Sequence, residues 1–228
     1  YMNGYAIGNL EEHNANVIGE DMIATFLPED VVDGLYKSVQ LAGLQVANLT
    51  LEPIAAIGLA IPESYRMLNI ALIDVGAGTS DISITKDGAI IAFGMIPIAG
   101  DAITEVVAKH CLVDFAAAEK IKRHVGDSEK ISYKDIMGLD QTVSSKEIIE
   151  VTTPVVDDMT KRVSDKIKEL TGGKPVSAVF VVGGGGRLSG YTVALAQKLG
   201  IQKERVAVRG KEVMQNVVFP EGAKEPDS

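Results

Sequence analysis

"LIDVGAGTSDISI", Leu72 to Ile84, decides how the chain is read. An apolar run closes on an acidic residue, Asp74, a turn bracketed by Gly76 and Gly78 follows, and alternation resumes past a second carboxylate, Asp81. A tight turn between strands requires neither that many glycines nor the carboxylates. Gly76 and Gly78 are free to take backbone angles other residues avoid, so consecutive N–H groups can converge on an oxyanion. Asp74, ending the strand beside that nest, is placed to hold a Mg²⁺ through its waters, and Thr79 adds a hydroxyl donor. A plain glycine hairpin, with Asp74 and Asp81 bonding turn amides, accounts for the octapeptide equally well.

Working outward, "NIALIDVG", "SDISITKDG" and "AIIAFGMIPIAG" have period two and predict three consecutive strands, the second hairpin turned at Lys86, Asp87 and Gly88. A helix is expected from Asp101. Upstream, "DMIATFLP" (Asp21 to Pro28) and "QVANLTLEP" read as strands, each followed by a helical pattern, "EDVVDGLYKSVQLAGL" and "IAAIGLAI". Downstream, "FAAAEKIKRHVG" is helical, and "DSEKISYKDIMGLDQTVSS" is polar with little periodicity. "SKEIIEVTTPVVDDMTKRVSDKIKELTGG" carries apolar residues at three- and four-residue steps, with Pro154 expected to kink or delay the helix. "VSAVFVVGGGG" restores a buried strand, "LSGYTVALAQKLG" a helix and "RVAVRG" a strand, while "FPEGAKEPDS" reads as a loop. The division expected is 1–68, then an α/β core from 69–110 and 172–228, with 111–171 an inserted helical subdomain.

Composition narrows the function classes. With 228 residues, 46% of them hydrophobic, the chain can bury a real core, and its net charge of −9 without a dense Lys/Arg cluster argues against nucleic acid. A small anion held by backbone N–H groups needs no net positive charge. The single cysteine, Cys111, lies in an apolar run, which excludes a disulfide framework and suggests a reducing compartment. No apolar stretch is long enough for a membrane span and the opening residues are unlike a signal peptide, so a soluble cytoplasmic protein is expected, with no membrane contact visible in this chain.

Two further elements bear on chemistry. In "FVVGGGGRLSGY" a buried strand runs into Gly183, Gly184, Gly185 and Gly186, which suits close approach of a flat ligand, with Arg187 able to stack its guanidinium on a base. A mobile glycine connector is the simpler alternative. In "LTLEPIAAIGLA" Pro53 fixes the start of a helix and sets Glu52 at its mouth, where it could orient a water or serve only as a helix-start carboxylate. A Walker loop is ruled out because no Gly-Lys-Ser/Thr is present, and a dinucleotide fingerprint because the glycine turn opens a strand and not a helix.

The order "EPIAA", "IDVGAGTSD", "IPIAGDAIT", "VVGGGGRL" resembles the second half of the actin-like (ribonuclease H-like) ATPase fold shared by actin, DnaK, sugar kinases and FtsA. "IPIAGDAITEVVAKHCLVDFAAAEKIKRHVG" is most similar to the FtsA branch. The resemblance implies an α/β lobe with a mixed sheet flanked by helices and a helical insert, binding ATP with Mg²⁺. It implies that Asp74 organises the metal and that Gly76, Ala77, Gly78 and Thr79, with Gly100 of "IPIAGD", hold phosphates. By the same likeness Gly183, Gly184, Gly185 and Arg187 flank the adenine and Glu52 sits near the attacking water. The implied function is slow ATP hydrolysis as a conformational or assembly switch in bacterial cell division, with self-association or other division and scaffold proteins as partners. A DnaK-like chaperone ATPase and a small-molecule kinase of the same fold are the alternatives. Ala77 stands where many members have glycine, and the N-terminal stretch lacks the Asp-x-Gly of the family's first phosphate motif, so the chain resembles a fragment lacking most of the first lobe.

Overall fold

The run with period two folds as expected. In a computed structural model describing residues 1–5, 7, 12–20, 22, 24–210 and 213, β1 (Ile70–Val75), β2 (Ser80–Lys86) and β3 (Ala89–Ile96) form an antiparallel meander. Asp87 and Gly88 turn its second hairpin with φ of 52° and 81°, the two positive values that a two-residue loop matching strand twist demands. After α3 (Gly100–Cys111), α4 (Phe115–Arg123), a hairpin of β4 (Lys130–Lys134) and β5 (Asp140–Ser144), and the long α5 (Ser145–Leu170), the chain returns as β6 (Ala178–Val182), parallel to β1. Helix α6 (Tyr191–Leu199) then leads to β7 (Val206–Val208), and the sheet order is β3-β2-β1-β6-β7.

The two faces of the sheet are sorted by residue parity. Ala71, Ile73 and Val75 of β1, Ile82 and Ile84 of β2, and Val179 and Val181 of β6 meet Val156, Met159, Val163 and Ile167 of α5 and Leu195 of α6 in the main core. Ile70 and Leu72 face the other way, onto Ile57, Ala60 and Ile61 at the end of α2 (Glu52–Ala60), with Phe180 and Val182 beside them. Strict alternation puts Asp74 on this second face at the open end of β1. A third cluster, Val107, Cys111, Ala118, Ile121, Ile131, Val143 and Ile148, forms the core of the segment around α4 and its hairpin. Cys111 packs there as a small hydrophobe. Burial pushes its thiol pKa up, against a hydrogen bond with Tyr133.

Several local expectations are corrected. The polar stretch 127–145 contains the β4-β5 hairpin, whose inward residues Ile131, Tyr133 and Val143 are too few to print a period on the sequence. Pro154 does not delay α5, which runs through it from Ser145. Pro154 is exposed there, so its ring and missing N–H face solvent instead of the core. Neither 45–51 nor the described part of 21–28 forms a strand, and Asp21 and Ile23 of the latter lie outside the described residues. A strand needs a ladder partner for its N–H and C=O groups, and Phe26, 89% exposed, has no packed surface to recruit one. The loop expected at 219–228 also lies outside the described residues.

The chain divides into two compact units, Tyr1–Ala55 and Ala56–Ser228. Within the first, the Tyr1 ammonium donates to Gly19 O at 2.8 Å, and Asn3 Oδ1 accepts from the amides of Asn16 and Val17 at 3.1 Å. Helix α1 (Glu29–Leu41) opens with Glu29 and Asp30, which suit the positive end of its dipole, and it buries no residue.

Candidate functional site

Strands β1 and β6 run parallel, so both of their C-terminal ends open at the same edge of the sheet, while β2 leaves β1 in the opposite direction. A crevice beyond the carboxyl ends of such strands is where α/β sheets place ligands. The sequence puts its glycines there. The turn 76–79 is closed by Gly76 N–H donating to Thr79 O at 3.0 Å, and all four of its residues are exposed. Among the described residues the amides of Ala77 and Gly78 meet no protein acceptor, and both residues are exposed, so two adjacent donors of one turn are left to solvent. Adjacent N–H groups without an acceptor are what an anion-binding turn requires.

The reason for its glycines differs from the expected one. Neither Gly76 nor Gly78 has a left-handed φ. A Cβ on Gly78 would meet nothing within 4 Å, and one on Gly76 would meet only Thr79 O at 3.4 Å. The protein does not need these glycines for its own backbone geometry; they leave open the space above the nest.

The other glycines answer to contacts within the protein. Gly183 has φ 83° and ψ 159°, a region essentially reserved for glycine, and a Cβ there would overlap both Asp74 Oδ1 and the carbonyl of Val75. A Cβ on Gly185 would press on Val75 Cγ1 and lie 3.1 Å from Val75 O and 3.2 Å from Gly76 O. One on Gly186 would strike Val181 Cγ1. On the far side Gly100, the first residue of α3, donates its N–H to Gly76 O at 3.1 Å, and Asp101 N–H donates to Ala77 O at 2.8 Å. A Cβ on Gly100 would stand 3.2 Å from Gly76 O. Gly76, Ala77, Gly78, Thr79, Gly100, Gly183 and Gly185 are thus brought to one place, with the turn after β1 held between the turn after β6 and the start of α3. Gly184 is exposed at the rim, and Arg187 is exposed at the end of the single 3-10 turn 184–187.

Asp74 and Asp81 sit on the same rim. Asp74 is half-buried and pairs in register with Asp81 across β1 and β2. Like charges directly opposite one another are unfavourable unless a cation or donor lies between them. Asp81 Oδ2 accepts from the Thr79 hydroxyl at 3.2 Å. Among the described residues no group of three or more His, Cys, Asp or Glu is poised to hold a metal. That donor set fits Mg²⁺ better than a metal caged by protein, because Mg²⁺ keeps several waters and takes one or two carboxylates beside phosphate oxygens. Glu52 begins α2, is exposed, and belongs to the first unit.

One part of this neighbourhood was missed by the sequence reading. The Lys122 ammonium donates to Gly100 O at 3.2 Å and to Thr104 Oγ1 at 2.9 Å, and pairs with Glu119 Oε2 at 2.6 Å. Glu119 Oε1 accepts from Arg123 Nε at 3.0 Å. Burial works to raise the Glu119 pKa, but hydrogen bonds from Lys122, Thr104 and Arg123 outweigh it and bring the value down to about 2. The signal was the Glu and Lys three residues apart in "AAEKIKR", which by spacing alone is an ordinary helix-surface pair.

With this geometry in place, comparison with known proteins is decisive. Residues 71–226 match the family model described as "Cell division protein FtsA". The chain belongs to the FtsA family. It is 25% identical to FtsA of Bacillus subtilis (strain 168) over 186 residues, 78% of this chain and 42% of that protein. With FtsA of Neisseria meningitidis serogroup B it shares 31% identity over 174 residues, 76% of this chain and 37% of that one. The chain therefore spans about two fifths of the length of these relatives. Among solved structures, MreB5 of Spiroplasma citri bound to ADP superimposes with a TM-score of 0.64 at 21% identity, covering 82% of this chain and 62% of that one. The ethanolamine utilization protein EutJ of Carboxydothermus hydrogenoformans gives 0.61 at 26%, covering 80% and 57%. The fold is that of the actin-like ATPases, with a mixed sheet flanked by helices as expected. The chaperone and small-molecule-kinase alternatives are not favoured. Among the described residues no helix is long and apolar enough to cross a membrane.

Proposed function

We propose that this chain carries the second-lobe half of an ATP site in a cytoplasmic FtsA-type protein that uses nucleotide as a conformational or assembly switch in bacterial cell division. The observation that carries the reading is the pair of outward amides at Ala77 and Gly78, above which Gly78 leaves open space. Polyphosphate oxygens are the ligand such a turn suits, because unpaired N–H groups and empty volume favour an anion over an apolar group. Asp74, with Asp81 opposite, would hold Mg²⁺ through its waters, and the ion would supply charge neutralisation at the phosphates. Gly76, Gly78 and Thr79 would take the phosphates, and Gly100 would support them from behind. Gly183 to Gly185 would let the nucleoside approach β6 closely, with Arg187 over the base. The role of Glu52 in orienting a water rests on its motif alone. The partners of this reading are a second copy of the protein or other division and scaffold proteins.

The test is titration of the complete protein and its Asp74→Ala variant with ATP at limiting and saturating Mg²⁺. The variant should keep its fold and lose the Mg²⁺-dependent part of ATP affinity or turnover. Equal Mg²⁺ dependence in both proteins would remove Asp74 from the site.

A further inference from the structure

Thr104 is fully buried, yet its hydroxyl lies at the centre of a charged cluster. It stands 2.7 Å from Glu119 Oε2, 2.9 Å from Lys122 Nζ and 3.2 Å from Gly100 O. A hydroxyl has one proton to give and lone pairs to accept with. The Lys122 ammonium has only N–H groups, so Thr104 accepts from it, and the single Thr104 proton goes to the nearer, anionic Glu119 oxygen. Lys122 then spends its three protons on Gly100 O, Thr104 Oγ1 and Glu119 Oε2, a complete set. The hydroxyl therefore satisfies both members of an ion pair from below, and Lys122 and Glu119 are only 15% and 27% exposed in their side chains.

Position makes this cluster more than a local ion pair. Glu119 and Lys122 belong to α4, which packs through Ala118 and Ile121 on Val107 and Cys111 at the far end of α3 and on Ile131 and Val143 of the hairpin. Gly100 belongs to the site: its carbonyl receives Lys122 while its N–H donates to Gly76 O, and the next amide donates to Ala77 O. One unbroken path of hydrogen bonds runs from Arg123 through Glu119, Thr104 and Lys122 to Gly100, and from there to the turn that carries the outward amides.

We infer that Thr104 is a positioning residue that clasps the α4 and β4-β5 segment to the 76–79 turn, so that the place of this segment and the order of the turn form one equilibrium. Two sites coupled in this way each feel what the other binds. Resting on the nucleotide reading above, phosphate on the turn would order α4 through the clasp, and a protein held by the α4 segment would feel the state of the nucleotide.

Amide hydrogen exchange on the 228-residue chain tests the clasp without any ligand. In Thr104→Val the amides of Gly100, Asp101 and α4 should exchange at least tenfold faster, while those of Ile73 in β1 and Val181 in β6 keep their rates. Thr104→Ser, which restores donor and acceptor together, should return all of them to within about twofold of the wild type. Lys122→Met breaks the same path from its less buried end and should give the same pattern if the valine variant folds poorly. Unchanged exchange at Gly100 and Asp101 in both disruptive variants, uniform acceleration that includes the sheet, or failure of serine to rescue would each overturn the inference. In the complete protein, excess Mg·ATP should then slow exchange at 76–79 and in α4 together in the wild type, but only at 76–79 in Thr104→Val. If Mg·ATP protects nothing in the wild type, the nucleotide reading falls, while the exchange pattern of the unliganded variants still decides the clasp.

Discussion

Gly183→Ala tests the central geometric feature of the site, the close approach of the turn after β6 to the end of β1. Two costs apply. The φ of 83° with ψ of 159° is a conformation that a residue with a Cβ holds only at about 1–3 kcal/mol. The added Cβ would also overlap Val75 O, Val75 C and Asp74 Oδ1. Backbone atoms of β1 cannot swing aside as a lysine tip would, because Asp74 is in register with Val182 on one side and Asp81 on the other. Overpacking against such neighbours adds about 1–3 kcal/mol, for a total of roughly 2–6 kcal/mol, a large share of the ~5–15 kcal/mol that holds an ordinary domain. Gly184→Ala is the matched control, since the neighbouring glycine has no left-handed φ and a Cβ there meets nothing within 4 Å; its effect should stay within about 0.5 kcal/mol. Urea unfolding followed by circular dichroism reads both, with the slope checked for constancy so that the midpoint reports stability. A Gly183→Ala midpoint equivalent to less than about 1 kcal/mol of loss, or one equal to that of Gly184→Ala, would mean that the two turns do not meet as described.

Glu119 gives the chain an acid-sensitive element: its folded pKa of about 2 lies below that of an unfolded glutamate, so its contribution is fully present above the unfolded value and is lost as pH falls toward 2. Urea midpoints measured from pH 6 down to pH 3 should fall more steeply in the wild type than in Glu119→Gln, and parallel curves would show that the pair adds nothing. Arg187→Ala should weaken ATP and ADP binding alike, by on the order of 0.5–2 kcal/mol; a loss confined to ATP in calorimetric titration would place the guanidinium at the terminal phosphate instead of the base.

Much of the second unit was legible because its strands carry their partners nearby in sequence. Ile70 to Ile96 spells three strands with alternation and an Asp-Gly turn, and each strand has its antiparallel neighbour a few residues away. "DMIATFLP" and "QVANLTLEP" have comparable composition and form no strand among the described residues, since alternation marks which side would be buried without supplying anything to pair with. The β4-β5 hairpin shows the converse: pairing is complete from Lys130↔Ser144 to Lys134↔Asp140, yet one thin face is buried and the pattern is lost among charges. The glycine positions of the site were legible as a set. The Thr104, Glu119 and Lys122 cluster was not, because Thr104 lies 15 and 18 residues from its partners and each of the three reads alone as a helix residue.

The glycines of the site fall into two physical classes that a sequence cannot separate. Gly183, Gly185, Gly186 and Gly100 are glycine because other protein atoms occupy the place of a Cβ, and they explain why the turns after β1 and β6 and the start of α3 can crowd together. Gly78 and Gly184 have open space where a Cβ would stand and no left-handed φ, so neither sterics nor backbone angle within this chain calls for glycine there. Glycine loses more conformational freedom on folding than any other residue, and at these two positions no close approach among the described residues offsets that loss. Residues of the first class shape the wall of the site, and those of the second keep its floor and rim clear. A clear floor beside two amides with no acceptor among the described residues suits the anionic ligand proposed for the site. That division of labour among the glycines supports the nucleotide proposal better than the count of glycines in either motif does.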